Sequence, residues 1–227
     1  MFGGLTRFSL IDYPGELSAV VFTKGCNFRC PYCHNPELVN NTAEEIEIDE
    51  ILGFLKKRMG KLTAVSITGG EPTLHGDKLV GFIRKLKDMG YKVKIDTNGT
   101  NPGLIERLLS LNLLDYIAMD VKAPIEKYNH ITNTKTNTQN IKDSIGLLLN
   151  ARIPYEFRTT VVKDLITEDD IAEIAKLING AELFCIQNFI PTKTLNPSFK
   201  EKSSYSHQEL LNMKQIANRW VKRCIIR

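Results

Sequence analysis

Three cysteines lie within eight positions of one another, and their side chains are the first candidates for chemistry. Cys26, Cys30 and Cys33 have the spacing C-x3-C-x2-C and follow an apolar stretch at residues 18–22. Thiolates are soft ligands that suit iron–sulfur clusters or zinc. Electron-transfer [4Fe-4S] clusters take four cysteines, so three would leave one iron able to bind another ligand. The alternative is a structural zinc site in which His34 or a distant group completes a Cys3His set.

The other two of the five cysteines stand alone. Cys185 lies in an apolar stretch, so we interpret it as a small buried hydrophobic side chain. Cys224, near the end of the chain, indicates no function. A secreted disulfide framework would use an even number of cysteines, whereas clustered cysteines in a reducing compartment indicate metal. No apolar run approaches the roughly 18 residues of a membrane helix, and the N-terminus lacks a signal-peptide pattern. We therefore expect a cytoplasmic protein without a membrane partner, and the mild net charge of +4 does not indicate nucleic acid.

Short apolar segments alternate with amphipathic ones along all 227 residues. The periodicity predicts six strands, at residues 18–22, 64–68, 92–97, 116–121, 155–162 and 183–189. It predicts six helices, at residues 46–59, 77–89, 104–111, 141–150, 169–178 and 206–221. This alternation implies a parallel sheet with right-handed crossovers, and a full eight-unit barrel needs about 250 residues. We predict an α/β fold, an incomplete (β/α)6 TIM-type barrel with parallel strands, open on one side, and a single domain over residues 1–227.

Two local signals refine this prediction. Ser206, followed three residues later by Glu209, is typical of a capping box at the start of the last helix. Two polar stretches, residues 133–140 and 192–204, are predicted to be loops that either cover a site or are simply solvated.

A second candidate motif, Gly69-Gly70-Glu71, comes directly after the second predicted strand. Glycines let the backbone approach a ligand closely, and a carboxylate can accept hydrogen bonds from an ammonium group. Together with the cysteine spacing and the aromatic Tyr32 just before the third cysteine, this motif resembles the radical S-adenosylmethionine (SAM) superfamily. Residues 9–15 and 33–37 resemble the activating enzymes of glycyl radical enzymes, most of all those of anaerobic ribonucleoside-triphosphate reductase, with those of pyruvate formate-lyase as relatives.

The resemblance implies a [4Fe-4S] cluster on the three cysteines and a SAM molecule at its open iron. The residues that it assigns to SAM are Tyr32, Asn35, Gly69, Gly70, Glu71, Asn98, Lys122 and Arg158. Tyr32 and Asn35 are expected near the adenine of SAM, and residues 69–71 are expected to bind its amino group. Lys122 and Arg158 are expected to contact SAM or its carboxylate. A monovalent cation is expected at Asp96, Thr97 and Asp120. The sequence departs from the relatives at Gln187 and Asn188, where pyruvate formate-lyase activating enzyme has a histidine.

The chemistry implied by the resemblance is reductive cleavage of SAM to methionine and a 5′-deoxyadenosyl radical, which takes a hydrogen atom from a glycine Cα of a partner protein. No side chain beyond the cofactor ligands is predicted to be catalytic. The expected partners are a glycyl radical enzyme, first of all anaerobic ribonucleotide reductase, and flavodoxin or ferredoxin as electron donor. The alternatives are activation of pyruvate formate-lyase or a related enzyme, and a radical SAM reaction on a small molecule.

Overall fold

The computed structural model describes residues 1–227, and its strands form one sheet in the order of the chain. The strands are β1 Phe2–Ser9, β2 Ser18–Thr23, β3 Ala64–Gly69, β4 Lys92–Thr97, β5 Tyr116–Asp120, β6 Tyr155–Val161, β7 Phe184–Asn188 and β8 Cys224–Ile226. Strands β2 to β4 pair in parallel, as do β6 to β8, whereas β1 is antiparallel to β2. The fold is therefore an α/β fold with a mostly parallel, open sheet, as predicted.

The six predicted strands correspond to β2 to β7, and the two outer strands were not predicted. The segment at residues 18–22 is therefore not the first strand, because β1 precedes it. Strand β1 contains two adjacent glycines and exposes Thr6, Arg7 and Phe8, so it has no continuous apolar run. Strand β8 has only three residues, which is too short for periodicity to indicate a strand.

Each predicted helix is present, with ends that differ by a few residues. The helices are α1 Pro36–Val39, α2 Ile48–Lys56, α3 Gly76–Asp88, α4 Pro102–Ser110, α5 Tyr128–Thr132, α6 Thr138–Leu149, α7 Glu168–Leu177 and α8 His207–Ala217, with 3-10 turns at Pro72–His75, Ile125–Lys127 and Pro197–Glu201. The capping box of Ser206 and Glu209 is confirmed. The last helix ends four residues earlier than predicted, and both polar stretches contain some helix, because α6 starts at Thr138 and a 3-10 turn lies within residues 192–204.

The chain divides into two compact units, each with its own apolar core. The first consists of Met1–Asn27, Glu37–Thr97 and Gly103–Ile117, and the second of Phe28–Pro36, Asn98–Pro102 and Ala118–Arg227. In the first, the ring of Phe2 packs 4.6 Å from that of Phe82, and both are buried. In the second, the fully buried carboxylate of Glu156 accepts two hydrogen bonds from Arg227, at 2.9 and 2.8 Å. None of the helices is long and apolar enough to cross a lipid bilayer.

Candidate active site

The glycine motif lies directly against the segment that leads to the first cysteine. Strands β2 and β3 are parallel with Thr23 opposite Gly69, so the loops after them leave the same edge of the sheet. The amide of Gly70 donates to the carbonyl of Thr23 at 2.9 Å, and that of Glu71 donates to the carbonyl of Gly25 at 2.8 Å. The two motifs found in the sequence are therefore joined by their main chains.

This main-chain contact requires both glycines. Gly69 has a φ of +118°, and a Cβ there would overlap the backbone of Thr23. A Cβ on Gly70 would overlap the carbonyl group of Gly25. The sequence assigned these glycines to close approach of a ligand, and the structure gives them a second role, which is the close packing of one loop on the other.

The carboxylate of Glu71 is buried, with only 1% of the residue exposed. Its Oε1 atom accepts from the amide of Thr73 at 3.0 Å, from the hydroxyl of Thr73 at 2.5 Å and from the hydroxyl of Thr97 at 2.8 Å. These three donors fix the orientation of the carboxylate and stabilise its charge. Thr97, which the resemblance assigned to a cation, thus contacts the residue assigned to the SAM amino group.

Asp96 has a cationic partner on its own strand. The ammonium group of Lys94 forms an ion pair with Asp96 and lies 6.0 Å from the ring centre of Tyr116. Lys94 is only 2% exposed, so this lysine is buried between a carboxylate and an aromatic face. Sequence reasoning did not single out Lys94, although Asp96 stands two residues further along the same strand and therefore on the same face of the sheet, a position that favours pairing.

In the second unit, Cys30 is buried, whereas Cys33 is partly exposed. Burial raises the pKa of the Cys30 thiol to about 11, against an opposing effect of Lys122. The main chain of this cysteine segment is covered by the loop that follows β7. Leu195 donates its amide to the carbonyl of Cys33, and Asn196 donates to that of Pro31, each at 2.9 Å. This loop was predicted only as a polar stretch.

His34 adds a side-chain contact to the same loop. Its ring stacks on that of Phe189, with centres 5.5 Å apart and planes 14° apart. Its Nδ1 atom is 2.8 Å from the carbonyl oxygen of Lys193. The residue that the sequence offered as a fourth zinc ligand is thus engaged with the loop after β7.

Asp120 accepts hydrogen bonds from two cations that the sequence assigned to SAM. Arg158 donates through Nε at 2.9 Å, and Lys122 donates through Nζ at 3.0 Å. Burial alone would raise the pKa of Asp120, but Arg158 and Lys122 outweigh burial and lower the pKa to about 2. Burial opposes the charge of Lys122 as well, yet Asp120 raises its pKa well above the ordinary value. The three side chains form one ionised group.

Tyr32 interacts electrostatically with two members of this group, Lys122 and Asp120. The residue is 4% exposed, and its hydroxyl has no hydrogen-bond partner. By contrast, the hydroxyl of the neighbouring buried Tyr128 accepts from the Lys122 amide at 3.2 Å. Asn35 is half-buried. Sequence reasoning did not identify Tyr128, because an isolated tyrosine in a short helix has no pattern that distinguishes it from a core residue.

The polar residues after β4 and β7 mainly organise their own loops. The Oδ1 atom of Asn98 accepts from the amide of Thr100 at 3.1 Å and from its hydroxyl at 2.7 Å. The side chain of Asn188 holds Tyr205 by two hydrogen bonds, at 3.0 and 3.2 Å. The side chain of Asn188 is therefore bonded to the main chain of Tyr205, and the neighbouring Gln187 is half-buried.

The comparison with known proteins decides the family. The Radical SAM superfamily matches residues 20–178 of the chain. This chain belongs to the radical SAM superfamily. It is 36% identical over 228 residues to a Methanocaldococcus jannaschii protein that carries the provisional name glycyl-radical enzyme activating enzyme, with 99% of this chain and 94% of the relative covered. Within the superfamily, the chain therefore belongs to the glycyl-radical enzyme activating enzymes.

More distant relatives of this radical SAM protein agree. The pyruvate formate-lyase-activating enzyme of Clostridium pasteurianum is 27% identical, with 90% of this chain and 87% of that enzyme covered. The crystal structure of Streptococcus suis SuiB bound to S-adenosylmethionine matches with a TM-score of 0.68 at 14% identity, over 92% of this chain and 49% of that one. A structural likeness at this identity shows the fold, and it agrees with the predicted architecture.

The cofactors of the superfamily, a [4Fe-4S] cluster and SAM, are the cofactors of this enzyme. The donor set of the chain fits them, because the soft sulfur atoms of its three clustered cysteines suit iron–sulfur ligation. The unpartnered hydroxyl of Tyr32 also fits a site that acquires a polar group when it is loaded. No three His, Cys, Asp or Glu side chains are close enough together to hold a single metal ion. A four-iron cluster is larger than one ion, so its thiolates need not converge on one point.

Proposed function

We propose that this enzyme is the activase of a glycyl radical enzyme, with anaerobic ribonucleotide reductase as its target. The observation that carries the proposal is the main-chain contact of Gly70 and Glu71 with Thr23 and Gly25, at 2.9 and 2.8 Å. It holds the motif assigned to SAM against the residue that precedes Cys26. An arrangement of this kind suits a reaction in which SAM must be positioned at a cluster.

Cys26, Cys30 and Cys33 are the proposed cluster ligands. When bound, the reduced cluster supplies the electron that cleaves SAM, and the protein contributes positioning and exclusion of solvent. The main chain around Cys30 and Cys33 is held in place by Leu195 and Asn196. Burial of Cys30 limits access of water to this side of the proposed cluster.

The proposed SAM contacts differ in how firmly the protein orients them. Glu71 is fixed by Thr73 and Thr97 and is proposed to accept from the amino group of SAM. Arg158 and Lys122 are fixed by Asp120 and are proposed to attract the SAM carboxylate. Tyr32, Asn35 and Asn98 are the remaining proposed contacts. The proposed SAM-binding side chains are thus held in position by residues that do not themselves contact SAM, namely Thr73, Thr97 and Asp120.

A monovalent cation at Asp96, Thr97 and Asp120 is a further part of the proposal. Each carboxylate already has a basic partner, Lys94 on Asp96 and both Lys122 and Arg158 on Asp120. The ion would therefore join existing ion pairs. Comparison of SAM cleavage in potassium, sodium and tetramethylammonium buffers tests this site, because the last cation is too large for it.

The test of the function begins with anaerobic reconstitution with iron and sulfide, followed by dithionite and SAM. Formation of 5′-deoxyadenosine is expected. The activated enzyme is then mixed separately with anaerobic ribonucleotide reductase and with pyruvate formate-lyase of the same organism, and the glycyl radical is measured by electron paramagnetic resonance. A radical in the reductase alone supports the proposed target. A radical in the lyase alone would assign the second candidate, and 5′-deoxyadenosine without either radical would favour a small-molecule substrate.

The remaining proposals concern cellular context. We propose one radical SAM domain over residues 1–227, because the family match extends across both compact units. Flavodoxin or ferredoxin is the proposed electron donor, and the cytoplasm is the proposed location because clustered cysteines that bind metal suit a reducing compartment.

A further inference from the structure

The loop after β7 and the cysteine segment that it covers contain most of the net positive charge of the protein. The loop, residues 189–206, has three lysines and one glutamate, and the cysteine segment Phe28–Pro36 adds Arg29. These two segments therefore have a net charge of +3, whereas the whole chain has a net charge of +4. The remainder of the chain is nearly balanced, so the positive charge is local.

Two lysines of this loop have no ionic partner within the protein. Lys200 and Lys202 are exposed on either side of Glu201, and none of the three forms an ion pair. Four other lysines of the second unit are paired with carboxylates, namely Lys127 with Asp170, Lys163 with Glu209, Lys176 with Glu173 and Lys222 with Glu182. The charges of Lys200 and Lys202 are therefore available to a negatively charged molecule in solution.

The turn that carries these lysines is attached to the cysteine segment through Asn196. The amide of Asn196 donates to the carbonyl of Pro31 at 2.9 Å. Its side chain accepts from the amide of Ser198 at 3.0 Å and from the hydroxyl at 2.9 Å, and so caps the 3-10 turn Pro197–Glu201. The amide of Lys202 closes the turn by donating to the carbonyl of Phe199 at 3.2 Å. One residue thus links the lysines to the main chain between Cys30 and Cys33.

We propose that the exposed lysines of the loop after β7 form the docking surface for an acidic electron-transfer protein. The inference rests on the proposed function, since it takes Cys30 and Cys33 as cluster ligands. A donor has to bring its own redox centre close to the cluster, and this loop is bonded directly to the segment that would hold the cluster. Complementary charge guides such a partner to the right place and speeds its association.

The character of the surface favours a transient partner over a permanent one. Apart from Ile190, which is 63% exposed, the exposed side chains of the loop are polar, charged or proline. Electron-transfer complexes bury small areas and depend on charge, whereas permanent complexes bury larger and more apolar areas. A donor that must leave after each transfer suits this surface better than a stably bound subunit does.

The redox step at this surface is the transfer of one electron. The donor protein is oxidised by one electron and the cluster is reduced from the 2+ to the 1+ state, and no atom or proton moves between the two proteins. Dithionite is a small reductant that needs no docking surface. Changes at the lysines should therefore affect reduction by a protein donor and spare reduction by dithionite.

The test compares the wild type with the charge-reversed variant Lys200→Glu/Lys202→Glu. The matched control is Lys57→Glu/Lys61→Glu, which changes the net charge equally. Lys57 and Lys61 are exposed, form no ion pair and lie before β3, whereas the cysteine segment follows the end of the parallel strand β2. Lys200→Arg/Lys202→Arg keeps both charges. Iron content and circular dichroism should be the same in all four proteins.

Binding of an acidic flavodoxin and of an acidic ferredoxin, each added separately, is measured by calorimetry at low and at high salt. For at least one of them we expect the association constant of Lys200→Glu/Lys202→Glu at low salt to be about tenfold lower than that of the wild type. The arginine variant should bind like the wild type, and the Lys57→Glu/Lys61→Glu control should lose much less. High salt should reduce the difference, because it screens exposed charges.

Formation of 5′-deoxyadenosine gives the second readout. With the reduced donor protein it should be slower in Lys200→Glu/Lys202→Glu, and with dithionite it should equal that of the wild type. Binding of neither donor to the wild type, or equal losses in the two charge-reversed variants, would overturn the inference. Weaker binding of the target reductase with unchanged binding of both donors would also overturn it, by assigning the surface to the target. If dithionite yields no 5′-deoxyadenosine in the wild type, the proposed function itself fails.

Discussion

The amide of Glu71 donates a hydrogen bond of 2.8 Å to the carbonyl oxygen of Gly25, one residue before Cys26. A neighbouring bond joins Gly70 to Thr23. These contacts involve main-chain atoms alone, and the two loops can lie this close only because Gly69 and Gly70 have no Cβ atom. The spacing between the proposed cluster ligand and the proposed SAM ligand is therefore set by backbone geometry.

Gly70→Ala tests this relationship. The added methyl group overlaps the Gly25 carbonyl, so the loops must separate. We expect a loss of about 1–3 kcal/mol in the free energy of unfolding, typical of overpacking, and a marked loss of SAM binding. Gly81→Ala is the matched control, because Gly81 lies in α3 with no atom within 4 Å of its added Cβ. It should stabilise the protein by up to about 1 kcal/mol. Equal unfolding free energies in the two variants would contradict the contact.

Cys30→Ala should abolish cluster assembly and SAM cleavage while the chain remains folded. Iron and sulfide analysis after reconstitution measures the first effect, and circular dichroism measures the second. Cys185→Ala is the control, since Cys185 is equally buried but lies in the middle of β7. It should keep a full complement of iron. SAM cleavage by Cys30→Ala would show that the ligand assignment is wrong.

Asp120→Asn should destabilise the protein by about 1–3 kcal/mol, because it leaves the partly buried Lys122 and Arg158 without their counter-charge. The pH dependence gives an independent check. The folded-state pKa of Asp120 is lowered to about 2, so its contribution to stability is complete above the unfolded-state pKa of about 3.9. The contribution is lost as the pH falls from about 4 to 2. Denaturant unfolding measured at several pH values in this range gives the free energy of unfolding. This free energy should fall less steeply with decreasing pH in Asp120→Asn than in the wild type. Identical slopes would contradict this assignment.

His34→Ala should loosen the loop after β7. The substitution removes the stacking on Phe189 and the contact with the Lys193 carbonyl. Hydrogen exchange at the amides of Leu195 and Asn196 should accelerate several-fold, and the cluster should become more sensitive to oxygen. His207→Ala is the control, because His207 is an exposed residue at the start of α8. Unchanged exchange in His34→Ala would mean that the two main-chain bonds alone hold the loop.

Sequence periodicity predicted the parallel strands well where a strand is a short apolar run, as at residues 18–22. It missed β1, because this strand combines two glycines with three consecutive exposed residues and so has neither an apolar run nor an alternating pattern. Edge strands have only one neighbour and need less apolar surface.

The motifs similarly predicted which residues are candidates for the site but not what each one contacts. Nothing in the sequence indicated that Glu71 is held by Thr97, or that Asp120 binds both Lys122 and Arg158. These contacts depend on how neighbouring strands bring together residues distant in sequence. Tyr32 shows the limit most clearly. The cysteine motif singled out this aromatic residue, but only the packing in the structure reveals that its hydroxyl has no hydrogen-bond partner.

The contact of Leu195 and Asn196 with the cysteine segment has a consequence for how this family can diversify. Because the donors are backbone amides, the contact survives almost any change of side chain and forbids only proline at these two positions. The side chains of exposed neighbours such as Lys200 and Lys202 can vary without affecting this contact. The exposed side chains of this loop can therefore change during evolution to suit a different partner protein. The main-chain hydrogen bonds of Leu195 and Asn196 to the cysteine segment remain the same.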